Sequence, residues 1–217
     1  MTSREELQDA TAQHRRLTAD LFDDLSDDEL DTATLCPAWT AHAMAAHLVM
    51  PLDVPPLRFA LEIARHKGSM DRASEAVVAR LADRPIGELT AVLREKADVH
   101  PPIPVVGTTG QLADTAIHLR DVARPLGRDD DVPLTSWRLV LAFLVTRAAQ
   151  IGHAPRGVTP GLRFRATDQA WSWGEGAEVV GPSEAVALGI AGRPAALVDL
   201  DGPGLHTLQR RLAGRGE

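Results

Sequence analysis

Tyrosine is absent from this chain of 217 residues, and aromatic residues make up only 4% of it. A surface that stacks the bases of single-stranded nucleic acid needs aromatic platforms, and few are on offer. Cysteine is nearly absent too. Cys36 stands alone, which excludes an intrachain disulfide and any zinc site built from several thiolates. Lysine is scarce, no basic cluster interrupts the sequence, and the formal net charge is −7. A protein that grips phosphate backbones, or a transcription factor with a recognition helix, would carry a basic footprint, so no nucleic-acid partner is expected. No apolar run approaches the roughly 20 residues of a membrane span. The opening MTSREELQDA is too polar for a secretory signal, and a soluble, cytoplasmic protein is expected. What is present is a hydrophobic fraction of 44%, enough for a packed core.

The first two thirds of the chain have helical periodicity. Ser3 with Glu6 and Ser26 with Glu29 have the spacing of capping boxes. Leu7, Ala10, His14, Leu17 and Leu21 recur near helical spacing after the first of them. Thr40 is placed to cap a helix running to about Met50, where Pro51, Pro55 and Pro56 are expected to interrupt the chain. Further helices are expected near 56–67, 70–83 and 86–98. After the Pro-rich stretch 100–104, Thr108 and Gln111 suggest a capped helix to about Arg124, and a very apolar one follows over 136–151. Beyond Gly157 the texture changes. Strand-like alternation at 162–165, 170–173 and 178–180, a short helix from Pro182 to Gly192, a strand over 195–200 and a final helix over 205–212 describe a small α+β tail. The chain therefore divides into residues 1–155 and 156–217.

Asp114 and His118 lie four apart on one of these helices, which stacks the two side chains on one face. A carboxylate and an imidazole at that spacing suit zinc, nickel, manganese or iron, although the same pair also occurs as a plain surface pair. His47 is flanked by Ala43, Met44 and Leu48 and points toward an apolar interior, as a metal ligand or as a core histidine bonded to a carbonyl. Asp121 either orients His118 or pairs with Arg120 or Arg124. His42 lies about 140° round the helix from His47 and reads as surface, as do His153 and His206. His100 falls in the Pro-rich loop and reads as solvated. Cys36 reads as a small buried hydrophobe and Trp39 as a packing anchor. Arg193, Arg210 and Arg211 are candidate partners for a carboxylate.

Two signatures and the tail carry a family resemblance. Cys36-Pro37-Ala38-Trp39-Thr40 followed by His47-Leu48 resembles the first signature of the mycothiol-dependent maleylpyruvate isomerase family, within the DinB-like, thiol-using helical proteins. Asp114-Thr115-Ala116-Ile117-His118-Leu119-Arg120-Asp121, ending in Arg124-Pro125-Leu126-Gly127, resembles its second. Thr167-Asp168, Gly181-Pro182, Gly192-Arg193-Pro194 and Leu200-Asp201-Gly202-Pro203-Gly204 resemble the family's small sterol-carrier-like tail. The resemblance implies an α+β two-part chain: a DinB-like helical bundle with a four-helix core, then a small α+β sterol-carrier-like domain. It implies one zinc ion, or another divalent metal such as nickel, held by His47, Asp114 and His118, with aspartate where the isomerase carries glutamate. It also implies mycothiol or a related low-molecular-weight thiol as cofactor, and a small electrophilic substrate that is isomerised or takes up the thiol. The alternative is a non-catalytic, metal-containing carrier of a hydrophobic small molecule. Either a monomer or a homodimer is compatible with the sequence.

Overall fold

A computed structural model describes residues 3–37, 39–129 and 132–214; Ala38 of the first signature lies outside the described residues. The helices are α1 (Arg4–Asp23), α2 (Asp27–Leu30), α3 (Ala41–Asp53), α4 (Pro56–Arg65), α5 (Met70–Leu81), α6 (Ile86–Glu95), α7 (Gly107–Ala123), α8 (Leu134–Leu144), α9 (Ser183–Ile190) and α10 (Leu205–Ala213). The strands are β1 (Leu162–Ala166), β2 (Ser172–Gly174) and β3 (Ala177–Gly181). The architecture is the expected one, a mostly helical chain ending in a small α+β part. No described helix is long and apolar enough to cross a membrane.

The chain forms two compact units, Met1–Pro102 with His118–Asp130, and Ile103–Ile117 with Asp131–Glu217. In the first unit both expected capping boxes are formed, at Ser3/Glu6 and Ser26/Glu29. Thr40 caps α3 by accepting from the Ala43 N–H. Helix α1 lies on α6, where Arg94 pairs with Asp20 and Asp23 and Thr90 donates to Asp23 over 2.7 Å. Helix α3 lies on α5 and α6, and Phe22, Met44, Val49, Leu89 and Leu93 are buried in their common core. In the second unit α8 packs on α9. Its sheet has the order β2-β1-β3, with β1 antiparallel to β2 and parallel to β3. Phe164 pairs with Trp173 on one side and Val179 on the other, and both Phe164 and Val179 are fully buried. Asp168 caps α9: its carboxylate accepts from the Ser183 N–H at 2.9 Å and the Ser183 hydroxyl at 2.6 Å.

Helix α1 buries Thr11, Ala12, His14, Arg15, Thr18, Ala19 and Phe22, and Leu7, Leu17 and Leu21 are half-buried. Several expectations are corrected. Pro51 lies inside α3, which runs on to Asp53. A proline near the last turn removes one N–H but does not prevent the helix from closing behind it. Helix α7 begins at Gly107, so Thr108 sits within its first turn instead of capping it. The apolar helix over 136–151 stops at Leu144 and resumes as a 3₁₀ turn, Ala148–Gln150. There the Thr146 hydroxyl accepts from the Ala149 N–H, a local bond that competes with helix continuation. The strand expected over 195–200 is a 3₁₀ segment, Pro194–Asp199. Ala196 and Leu200 are buried and Val198 is exposed between them, a spacing of a turn and not the alternation of a strand.

Candidate metal centre

His47 projects from the middle of α3, among the buried Met44, Ala46, Leu48 and Val49. Asp114 and His118 stand one turn apart on α7. One ligand atom from each of these three residues lies within 4.8 Å of the others. The rings of His47 and His118 meet nearly perpendicular, with interplanar angle 85° and centroids 4.8 Å apart. His118 is buried, and His47 and Asp114 are half-buried. A tetrahedral zinc ion with bonds of about 2.1 Å sets its donors about 3.4 Å apart. That spacing lies inside the 4.8 Å bound, and the chemistry of the group, two imidazoles and one carboxylate, fits a borderline divalent ion.

Asp121 lies beside His118. Its carboxylate is fully buried and lies 2.8 Å from His118 Nδ1. An ionised carboxylate at that position would only accept, which would place the proton on Nδ1 and leave the Nε2 lone pair for a ligand. The Asp121 carbonyl is also engaged, accepting from the Leu35 N–H at 3.0 Å. That bond fixes the loop before α3 to the last part of α7.

The other sequence candidates lie elsewhere. His42 is half-buried, its Nε2 2.9 Å from the Arg84 carbonyl. His100 is in the loop as expected but is half-buried, near Arg15, Asp98, Arg4 and Asp9, and burial lowers its pKa. His153 is not a surface residue: Nε2 lies 3.1 Å from the Gly110 carbonyl and the ring meets Phe143 edge-on. His206 is exposed as expected. Cys36 is a half-buried thiol whose backbone N–H donates to the Thr34 hydroxyl. Arg211 donates to the Val158 carbonyl over 2.7 Å, Arg193 donates to that of Ala191 over 2.8 Å, and Arg210 is exposed. Sequence reasoning missed two features. His14 is fully buried, and Trp39 stacks on His47. The Trp39 contact could have been suspected from the shared signature; His14 carried no signal beyond its place in a helical repeat.

The fold and this cluster together define a class: a helical, two-part chain with a His/Asp/His group on two of its helices. The chain superposes on the crystal structure of the mycothiol-dependent maleylpyruvate isomerase with a TM-score of 0.65 at 13% identity, over 93% of each chain. It superposes likewise on a histidine-to-alanine mutant of that isomerase, with a TM-score of 0.63 at 14% identity and the same coverage. No family profile matches the sequence, and no curated protein matches it by sequence. The likeness is one of fold.

Proposed function

We propose that this chain is a metal- and thiol-dependent enzyme of the maleylpyruvate isomerase type, with His47, Asp114 and His118 as the protein ligands of one zinc ion. The observation that carries the reading is the convergence of three donor atoms within 4.8 Å from residues as far apart in sequence as His47 and His118. Three protein ligands leave an open coordination position, as catalytic zinc sites do. When bound, the ion would lower the pKa of a coordinated thiol and supply it as thiolate.

The chain's own residues have separable tasks. His118 would offer Nε2, with Nδ1 donating to the Asp121 carboxylate 2.8 Å away. Asp114 contributes one negative charge, so a dication in its grip keeps a net charge of about +1 and attracts a thiolate. His47, bound as a neutral imidazole, would add no charge to weaken that attraction. The nucleophile comes from outside, as mycothiol or a related low-molecular-weight thiol. It adds to a small unsaturated, electrophilic acid, after which elimination gives the isomer or retention gives a thioether. The solved isomerase structures of the same fold support the thiol as partner.

Elemental analysis of protein purified without chelator is expected to give one metal ion per chain. The His118→Ala variant is expected to lose that ion with its helical circular-dichroism signal intact. Unchanged metal content in the variant would overturn the ligand assignment. In cobalt-substituted protein, added thiol is expected to produce a thiolate-to-cobalt charge-transfer band. Full occupancy without that band at millimolar thiol would instead support the carrier.

A further inference from the structure

Trp39 is not among the donors, yet it touches both nitrogen ligands of the proposed centre. Its indole stacks on the His47 imidazole with centroids 4.3 Å apart and planes inclined by 27°. The same indole meets His118 edge-on, at 6.2 Å and 68°. One side chain in the loop before α3 therefore covers a face of one imidazole and abuts the other.

The backbone that carries this indole is firmly held. The Trp39 carbonyl accepts from the Thr34 N–H at 3.2 Å and lies 2.9 Å from the Thr34 hydroxyl. The Trp39 N–H donates to the Cys36 carbonyl over 3.1 Å. Thr34 Oγ1 also accepts the Cys36 N–H at 3.1 Å and shares its own proton between the carbonyls of Cys36 and Trp39. An isolated bridge, Ala33 to Thr40, closes the loop. Leu35 anchors it to the carbonyl of Asp121, the residue whose carboxylate orients His118.

A nitrogen lone pair lies in the plane of its ring, so a ligating histidine must present that plane correctly. The second side-chain torsion of histidine is broad and does not fix the plane by itself. Stacking on a held indole does fix it, because tilting the imidazole breaks the aromatic contact. We propose that Trp39 is a positioning residue of the metal centre, setting the ring plane of His47 and bracing it against His118. The proposal rests on the metal-centre reading above. It is distinct from a simple packing anchor, because it requires a ring at position 39, not merely bulk.

The test uses the full chain, stripped of metal, as wild type, Trp39→Phe and Trp39→Leu. Zinc affinity is measured by competition with a chromophoric chelator. The C–H resonances of the His47 imidazole are measured by NMR in the metal-free state. Trp39→Leu is expected to weaken zinc binding roughly 10-fold or more, the range seen when an outer-shell partner is removed. Trp39→Phe, which keeps a ring, is expected to stay within a few-fold of wild type. In the wild type the indole ring current is expected to displace the His47 resonances upfield, and the Leu variant to release them. Wild-type affinity in Trp39→Leu would overturn the proposal. So would equal losses in the Phe and Leu variants with lowered melting temperatures, which would make Trp39 a packing residue. Should wild-type protein take up no zinc, the metal-centre reading fails by itself. The resonances then decide whether Trp39 orients His47: undisplaced signals overturn the stack, and displaced signals sustain it.

Discussion

His14 lies at the middle of α1 with no exposed surface, and among the described residues neither ring nitrogen has a hydrogen-bond partner. Burial alone pushes its pKa from 6.5 down to about 4. A folded-state value below the unfolded one means that the unfolded chain takes up the proton first. The neutral ring's contribution to stability is thus complete above about pH 6.5 and is lost progressively as the pH falls toward 4. The full difference is worth about 3 kcal/mol. His14→Leu is therefore expected to flatten the dependence of unfolding free energy on pH across that window, as read by urea titration at several pH values. An unchanged slope would show that the ring is not a proton sink. Asp121→Asn makes a second residue-scale prediction. It keeps the shape but loses the carboxylate charge facing His118 Nδ1, and zinc affinity is expected to fall roughly 10- to 100-fold with helicity preserved. Competition with a chelator checks it; wild-type affinity would reduce Asp121 to a structural partner. The i,i+3 spacing of His118 and Asp121 was legible in the sequence, but so was the alternative pairing with arginine. Neither the burial of the carboxylate nor its 2.8 Å approach to His118 Nδ1 could be read from the sequence. His14 was not legible in this sense, since a helical repeat does not say whether a polar member finds a partner.

Elements were most legible where a side chain announces their start. The serine boxes of α1 and α2 and the Thr40 cap of α3 are local patterns that the backbone has to satisfy, and they are formed. Ends were less legible. Thr146 stops α8 with a bond that competes with helix only once the chain has turned, and the 195–200 stretch has strand-forming residues but turn-spaced burial. The start of α9 is a further case: the carboxylate that caps it comes from Asp168, fifteen residues earlier. Asp168→Ala removes both bonds to Ser183 and is expected to destabilise the chain by about 1–2 kcal/mol. Asp168→Asn should recover much of that, because its amide oxygen can still accept. Thermal unfolding of both variants checks the pair; equal losses would assign the effect to charge instead of capping.

At the scale of the whole molecule, a ligand that binds only the folded chain raises its stability. With zinc at about 100 times its dissociation constant the gain is about 2.7 kcal/mol. In a chain of this length that corresponds to a rise of about 5–10 °C in melting temperature. The rise is expected in wild type and not in His118→Ala; an equal rise in both would point to ions bound elsewhere. The broad architecture was readable because helical periodicity gives way to alternation once, after Gly157. The candidate centre was readable only as separate fragments, since nothing in a linear chain gives the distance between His47 and α7. The bond from Leu35 to the Asp121 carbonyl has a further consequence. It joins the neighbourhoods of His47 and His118 directly, so the long intervening stretch holding α4, α5 and α6 carries no donor of the cluster. A surface loop in that stretch can lengthen without moving either end of the tie.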